Sequence, residues 1–476
     1  MQDNDYIQLK TEVQQFITPD QAWHYSIVPK TINHSFLEFY IDEEKATETM
    51  PEELEMLFGK EVRLIKIKPD LVRKTISRYY RKRKQRTSRS ISVTHKDDEF
   101  LNKLIEEAHQ NGSSDIHLEP YEEKCRVRMR IDGKLIERYV INLNEFPAIV
   151  NKIKIKANLD IAEKRLPQDG RIFFDSGDEQ FDIRVSILPA LHGEKVVMRL
   201  LSKDATQIEI RELGMNENQL HNYTEGIKKP HGIVLISGPT GSGKTTTLYA
   251  TLKILNNEYS NILTIEDPIE YTLEGINQVQ LKESIGLSFA KALRTFLRQD
   301  PDIIMLGEIR DQETAKMATR AALTGHLVLS TIHTNSAWGT ISRLIDMGVP
   351  PYLLASTLNL SVAQRLVRLL CPHCKKRESF SRKLYPDNYL PPRNIESQYI
   401  PVGCEKCFYT GYKGRKAVYE IIPIDNELQE RIKTRDLKVG DYFKKNNIQK
   451  LENAAFELFE QGLTSIDEVY SIFMNS

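Results

Sequence analysis

The chain has few cysteines and no long apolar run. Only five of its 476 residues are cysteine, and no stretch approaches the roughly 18–20 apolar residues that span a bilayer. The opening Met1-Gln2-Asp3-Asn4-Asp5 lacks the basic and then apolar pattern of a signal peptide. Because 66 basic residues balance 66 acidic ones, net charge does not favour a nucleic-acid-binding protein. We expect a cytosolic protein whose function must be inferred from local motifs.

The length predicts two to four domains, and the first includes a basic segment. Residues 1 to about 70 combine short apolar stretches with prolines, as in a small α+β domain. From Arg73 to Arg89 the chain carries nine basic residues and no acidic one. This stretch is predicted to be a linker that closes a domain over residues 1–90. It is either a solvated helix end leading into a hinge or a segment attracted to an anionic membrane or acidic partner.

A second small α+β domain is expected over residues 95–205. Its first helix has an apolar face formed by Phe100, Leu101, Leu104, Ile105 and Ala108. Alternating strands follow at 126–131, 134–136, 171–174, 181–188 and 195–201, with Asp132-Gly133 as a hairpin turn. The lone Cys125 is predicted to fill the core of this domain.

The third domain is predicted to run from 206 to 476 and to contain a parallel sheet. Apolar strands at 233–236, 262–265, 303–306 and 327–332 alternate with helical stretches. In such α/β folds the ligand lies at the carboxyl ends of the strands. The last part of the domain is expected to be helical.

A phosphate-binding loop follows the first of these strands. It has the spacing Gly-x-x-x-x-Gly-Lys-Thr and comprises Gly238, Pro239, Thr240, Gly241, Ser242, Gly243, Lys244 and Thr245. Thr246 is predicted to open the helix that continues to Leu255, so the helix N-terminus also faces the loop. We expect this site to bind ATP, with Lys244 on the β- and γ-phosphates and the Thr245 hydroxyl on Mg²⁺.

Carboxylates end the next two strands. The first ends in Glu266-Asp267-Pro268-Ile269-Glu270, where Glu266, or second Glu270, is predicted to position the attacking water. The other ends in Gly307-Glu308. Glu308 takes the Walker B position that Asp usually holds and is expected to reach Mg²⁺ through a bound water.

Two histidines flank the fourth strand, and four cysteines form two Cys-x-x-Cys pairs. His326 and His333 are predicted either to sense the γ-phosphate or to link subunits. The pairs Cys371/Cys374 and Cys404/Cys407 enclose a polar, proline-bearing insertion. Four thiolates form a closed tetrahedral site, so we predict a structural zinc ion in the insertion 371–407.

Together these motifs resemble the secretion-ATPase family of type II secretion and type IV pilus machines. The resemblance covers roughly residues 95–476 and includes the phosphate loop, Thr-Ile-Glu-Asp-Pro-Ile-Glu, Gly-Glu-Ile-Arg-Asp, the segment from Thr324 to Asn335 and Ala363-Gln364-Arg365-Leu366. It implies an α/β fold with a RecA-like motor domain preceded by a small PAS-like α+β domain. Within that smaller domain it makes Arg171 and Arg184 candidates for acting on a neighbouring subunit's nucleotide.

The resemblance also implies partners. The four-cysteine element is similar to that of the assembly branch, whereas pilus-retraction ATPases lack it. The segment from Ile17 to Tyr80 is similar to the adaptor domain that docks on an inner-membrane platform. These features imply a homo-hexameric ATPase, peripheral to the inner membrane, that drives a pseudopilus or pilus. The family's cyclic-dinucleotide site lies in repeats that we expect to precede the first residue here.

Three other functions remain open on the sequence alone. A DNA-translocating or recombinase ATPase of RecA type would need a basic DNA-binding face and stimulation by DNA. A pilus-retraction ATPase would share the motor motifs. A nucleotide-sensing scaffold would bind ATP without hydrolysing it.

Overall fold

The computed structural model describes residues 6–9, 13–14, 16–33, 36–47, 49–80, 89–90, 97–177, 180–201 and 208–474. The N-terminal part folds around a three-stranded sheet of order β1-β2-β3, with β1 and β2 antiparallel and β2 and β3 parallel. Its elements are α1 Pro19–Tyr25, β1 Ile27–Ile32, β2 Phe36–Asp42, α2 Met50–Phe58, β3 Glu61–Ile67 and α3 Pro69–Tyr79. A proline lies in the first turn of each helix, where its missing N–H has no partner to lose.

The basic run is divided between helix and segments that the structure does not describe. Residues 73–79 belong to α3 rather than to a linker. The remainder of the run lies outside the described residues, apart from β4 (Arg89–Ser90), which pairs in parallel with β7 of the next sheet. The first strand of that sheet therefore precedes residue 95, where the second domain was predicted to begin.

A seven-stranded sheet of order β4-β7-β6-β5-β10-β9-β8 forms the middle of the chain. The elements after β4 are α4 Asp97–Gln110, β5 Ser113–Pro120, β6 Lys124–Ile131, β7 Lys134–Asn142, α5 Phe146–Lys156, β8 Gln168–Asp175, β9 Gln180–Ala190 and β10 Gly193–Leu201. Helices α4 and α5 pack their apolar faces on one side of the sheet, with Cys125 buried among them. Asp132 and Gly133 both have positive φ (48° and 81°), as the predicted hairpin turn requires.

The second seven-stranded sheet, of order β13-β12-β14-β15-β11-β16-β19, carries the phosphate loop. Its elements up to the last central strand are α6 Glu217–Ile227, β11 Gly232–Ser237, α7 Lys244–Leu255, β12 Ile262–Glu266, β13 Asn277–Gln280, α8 Phe289–Phe296, β14 Ile303–Leu306, α9 Gln312–Leu323 and β15 Leu327–Ile332. The four predicted strands are confirmed, and they pair in parallel. Their residues are buried throughout because helices cover both faces.

Two long strands at the edge of this sheet were not predicted. They are β16 (Leu358–Leu370), parallel to β11, and β19 (Tyr412–Pro423), antiparallel to β16. The insertion between them carries the cysteine pairs and the short hairpin β17 (Lys376–Ser379) and β18 (Ser397–Ile400). The remaining helices are α10 Gly339–Asp346, α11 Pro351–Thr357, α12 Asn426–Thr434, α13 Gly440–Lys445, α14 Leu451–Glu460 and α15 Ile466–Phe473. Within the described ranges, no helix combines the length and the apolar character needed to cross a membrane.

Candidate functional site

The phosphate loop connects the carboxyl end of β11 to the N-terminus of α7. Gly238 (φ 152°) and Gly243 (φ 85°) adopt conformations that L-residues rarely take. Space is equally restrictive, since a Cβ on Gly238 would lie 2.5 Å from the Gln364 carbonyl oxygen and one on Gly243 would lie 2.8 Å from Gln364 Nε2. Helix α7 begins at Lys244, two residues earlier than predicted. Its free N–H groups therefore start inside the loop, where they can bind an anion.

Lys244 and Ser242 point polar atoms at this loop. Lys244 Nζ donates to the carbonyl oxygens of Gly238 (2.9 Å) and Pro239 (3.0 Å). Burial lowers the pKa of the Lys244 ammonium, although the Glu308 carboxylate favours its charged form. Ser242 is 3% exposed, and its hydroxyl has no hydrogen-bond partner among the described residues. Thr240 and Thr245 are exposed, so their side chains are open to a ligand.

Glu308 follows β14, and its charge acts on Lys244. Its side chain is 16% exposed and contacts the Arg310 guanidinium, while His333 Nε2 lies 3.4 Å from its second oxygen. His333 follows β15, the strand between β14 and β11, so adjacent strand ends bring these groups together. Sequence reasoning assigned no role to Arg310, which also lies 3.7 Å from Asp267. The arrangement can hold a hydrated cation or a water beside the phosphates.

Glu266 is buried instead of open to the site. It is 3% exposed, and its oxygens accept hydrogen bonds from Tyr249, from Thr264 Oγ1 (2.6 Å) and from Gln278 Nε2 (3.1 Å). Burial, and next the Glu266 charge, raise the pKa of the Tyr249 hydroxyl, which therefore stays a donor. Three donors already bind this nearly buried carboxylate. Its role in positioning the attacking water stays a prediction.

The second histidine lies far from the loop. His326 precedes β15, next to the start of β11 at Gly232, whereas the loop follows the other end of β11. Its Nδ1 is 2.8 Å from the Ala321 carbonyl oxygen. The strand of six residues between His326 and His333 separates them by roughly 20 Å. Sensing the γ-phosphate within one subunit therefore fits His333 and not His326.

The two predicted arginines lie side by side in the middle domain. Arg171 of β8 pairs with Arg184 of β9, which pairs in turn with Arg199 of β10. Arg184 bonds the Ile269 carbonyl of its own chain, and its Nη1 is 3.3 Å from Glu270 Oε2. Arg171 is exposed. Arg199 was not singled out from the sequence, and its Nε donates to Asp115 at 3.0 Å. It lies at one of the exposed positions of β10, which alternate with buried apolar residues, and this alternation could have indicated it.

The four cysteines of the insertion come together. The Sγ–Sγ distances are 3.9 Å for Cys371–Cys404 and 3.8 Å for Cys374–Cys407 and for Cys404–Cys407. A tetrahedral zinc ion with Zn–S bonds of about 2.3 Å would need sulfurs about 3.8 Å apart. Backbone N–H groups of Gly403 and Gly411 donate to Cys374 and Cys407, which favours thiolates. These residues fit a structural zinc ion.

The segment after the second cysteine pair contacts the middle domain. The Arg138 guanidinium lies 4.9 Å from the Phe408 ring centroid, directly after the second cysteine pair. At the hairpin turn, Asp132 Oδ2 accepts a hydrogen bond of 2.8 Å from the Gly414 N–H. These contacts join the middle and C-terminal domains next to the four-cysteine element.

Comparisons with known proteins agree with this geometry. Residues 95–471 match the family described as "Type II/IV secretion system protein". The chain is 44% identical to type II secretion system ATPase E of Vibrio cholerae over 384 residues, which are 79% of this chain and 75% of the relative. It is 52% identical to type IV pilus assembly ATPase PilB of Myxococcus xanthus over 337 residues, which are 70% of this chain and 60% of the relative.

Solved structures give the same fold. The pilus retraction motor PilT with bound ADP is 26% identical and superposes with a TM-score of 0.54, covering 78% of this chain and 96% of PilT. The ATPase DotB of Legionella pneumophila is 20% identical, with a TM-score of 0.59 over 82% of this chain and 97% of its own length. The predicted α/β fold and the predicted family are both confirmed. The chain belongs to the type II/IV secretion system protein family.

Proposed function

We propose that the chain hydrolyses ATP and uses the energy to drive a type II secretion pseudopilus or a type IV pilus. One observation supports the hydrolysis most directly. The phosphate loop with Lys244 lies beside a carboxylate, Glu308, that is itself held by Arg310 and His333. Phosphoryl transfer needs phosphate binding, charge stabilisation and a positioned water, and these side chains can supply all three.

Each residue has a distinct role in this proposal. The N–H groups of Gly238 and of residues 240–246, with the Lys244 ammonium, bind the phosphates. Thr245 with Glu308 would hold Mg²⁺, which offsets phosphate charge when bound. Glu308 also orients the water. Glu266 is buried and accepts three hydrogen bonds. We therefore assign it a positioning role, in which it orients Tyr249 and the end of β12. His333 stabilises the Glu308 carboxylate.

Assembly or secretion is favoured over the alternatives. The sequence relatives at 44% and 52% identity are named as secretion and pilus-assembly ATPases, whereas PilT, named as a retraction motor, is 26% identical. The four cysteines at zinc-site spacing support the same branch. DNA translocation has no comparable support, because the charges on the middle sheet are largely paired, as Arg128 with Glu119 and Arg199 with Asp115.

Assembly state and partners follow as further parts of the proposal. We infer a homo-hexamer in which Arg171, exposed on the PAS-like middle domain, reaches a neighbour's nucleotide. The N-terminal unit around β1–β3 would dock on an inner-membrane platform protein, holding an otherwise cytoplasmic motor at the membrane. Capture of platform proteins from membranes by residues 1–90, with identification by mass spectrometry, tests that docking.

Assays on the purified protein test the proposed ATP hydrolysis. ATP hydrolysis should be measurable and should be lost in Lys244→Ala, while DNA should leave turnover unchanged. In the organism that encodes the chain, Lys244→Ala should abolish surface pili or secretion. Nucleotide binding without hydrolysis would contradict the proposal in favour of a scaffold, and stimulation by DNA would favour the translocase.

A further inference from the structure

Arg365 lies beside the phosphate loop on β16, the strand between β11 and the edge strand β19. In the parallel pairing of β11 with β16, Ser237 is opposite Ala363. β11 ends there and continues into Gly238 of the loop, whereas β16 continues through Gln364 and Arg365 in its pairing with β19. Arg365 Nη1 is 3.1 Å from the position that a Cβ on Gly238 would take. The guanidinium therefore touches the first residue of the loop.

This guanidinium has no counter-charge in contact with it. Its Nη1 donates to the Gln364 carbonyl oxygen (2.9 Å) and its Nη2 to the Asn335 carbonyl oxygen (2.8 Å). In the described part of the chain it forms no ion pair with a carboxylate, and Glu420 acts on it only through charge. Burial lowers the pKa of this group, as expected for a cation removed from water without an anion beside it.

Other polar groups converge on the same spot. Lys244 Nζ contacts the Gly238 carbonyl oxygen at 2.9 Å, and Arg365 disfavours the charged form of that lysine. The buried Ser242 hydroxyl, which has no partner among the residues described, lies 2.6 Å from the same Cβ position on Gly238. Two cations and an open hydroxyl around one glycine form a site for an anion.

We propose that Arg365 is a phosphate-binding residue of its own subunit, contacting the polyphosphate of the nucleotide together with Lys244 and Ser242. A guanidinium has five N–H groups, and the two carbonyl contacts leave donors for phosphate oxygens. Those contacts also fix the fork before the ligand arrives, which reduces the entropy lost on binding. The inference rests on the proposed nucleotide site and adds a residue to it.

The hydrogen bond from Arg365 to the Asn335 carbonyl oxygen also links the arginine to the loop that carries His333. Asn335 lies two residues after His333, whose ring faces Glu308. A phosphate bound by this guanidinium would be connected to the loop that follows β15 through the Asn335 carbonyl. Arg365 thus connects phosphate binding to the position of His333.

The experiment measures equilibrium binding of ADP and of pyrophosphate by the full chain carrying Arg365→Gln or Arg365→Lys. Loss of a charge-assisted contact should weaken both ligands by the same factor, roughly ten- to one hundred-fold for Arg365→Gln, with a smaller loss for Arg365→Lys. Arg368→Gln, on the same strand but bonded to Glu468, is the matched control and should bind both ligands as the wild type does.

The outcomes separate the two proposals. Wild-type protein that binds neither ADP nor pyrophosphate would overturn the nucleotide site itself. Wild-type binding with unchanged affinity in Arg365→Gln would overturn only the role of Arg365. A loss for ADP but not for pyrophosphate would show that the arginine does not contact phosphate, which also overturns the role. If thermal unfolding shows that Arg365→Gln is not folded, the same comparisons are decided by Arg365→Lys.

Discussion

Arg184 of the middle domain and Glu270 of the C-terminal domain form an ion pair of 3.3 Å within one chain. Arg184 also bonds the carbonyl of Ile269, so two contacts hold it at the segment that follows β12. Burial lowers the pKa of Arg184, whereas the charge of Glu270 favours its charged form. Arg171, beside it on the neighbouring strand, is exposed. The two arginines therefore have different surroundings, although the family resemblance implied the same role for both.

Mixing mutant subunits should separate these roles. Arg171→Ala should lower turnover by roughly 10³-fold or more if it acts as a finger on a neighbour. Mixing Arg171→Ala with Lys244→Ala subunits should then restore part of the activity, because each mutant lacks a different half of a shared site. Arg184→Ala should not be restored in this way, since its contact lies within its own chain. Steady-state ATP hydrolysis by the mixed subunits is the measurement, and restoration by both arginine mutants would contradict the distinction.

Glu308→Gln should remove catalysis while leaving nucleotide binding intact. The amide keeps the size of the side chain but loses the charge that favours Mg²⁺ and orients water, so turnover should fall roughly 10²–10⁴-fold. Fluorescent ADP binding should stay within a few-fold of wild type. Glu313→Gln, an exposed glutamate paired with Arg294, is the matched control and should hydrolyse ATP normally. An equal loss of turnover in Glu308→Gln and Glu313→Gln would contradict a catalytic role for Glu308.

Tyr249→Phe tests whether Glu266 acts through its buried contacts. The change removes one donor to a carboxylate that is 3% exposed, and a buried acceptor without its donor costs about 1–3 kcal/mol. The free energy of unfolding, from denaturant titration, should fall by that amount, and turnover should fall much less. Tyr259→Phe, at a residue 91% exposed, should change neither. Loss of turnover with unchanged stability would instead support direct participation of Glu266 in catalysis.

Zinc should be lost without loss of the nucleotide site. Cys371→Ser removes one of four thiolates, so metal content should fall well below one zinc per chain. Cys125→Ala changes the fifth cysteine, which is buried in another domain, and should retain zinc. Because the phosphate loop lies on a different part of the sheet, ADP binding should persist in both. Elemental analysis showing full zinc occupancy in Cys371→Ser would refute the four-thiolate site.

The sequence was sufficient for the parts of the fold in which a local pattern determines the structure. The four parallel strands and the Asp132-Gly133 turn follow from apolar runs and from turn chemistry, and the structure contains them. Helix α7 starting at Lys244 departs from the prediction by two residues, which is typical of helix ends. The cysteine cluster was predicted because metal-ligand spacing constrains the chain strongly.

Contacts between distant segments could not be predicted in the same way. Arg365 and the phosphate loop are more than a hundred residues apart in sequence, and they meet only because β16 pairs with β11. The burial of Glu266 depends on Tyr249 from a helix and Gln278 from a neighbouring strand. His326, by contrast, precedes β15 in a sheet that was predicted to be parallel, so the sequence alone already indicates that it lies at the end opposite the phosphate loop.

The last prediction concerns acid stability in the middle domain. Burial by itself would raise the pKa of Glu119, but the Arg128 guanidinium, with Lys195 and Arg126, lowers it to about 2 from 4.5. A carboxyl whose pKa is lower in the folded state contributes stability above its unfolded pKa, and this contribution is lost as pH falls through the folded value. Glu119→Gln should therefore lower the melting temperature at neutral pH, and the difference from wild type should shrink between pH 4.5 and 2.

The exposed pair of Arg63 with Glu61 provides the control, because side chains about half exposed are screened by water. Glu61→Gln should leave the melting temperature nearly unchanged at every pH. Thermal unfolding followed by circular dichroism across this range measures both variants. A difference between Glu119→Gln and wild type that stays constant down to pH 2 would mean that the charge of Glu119 is not what stabilises the sheet, and that the side chain contributes through packing and neutral hydrogen bonds.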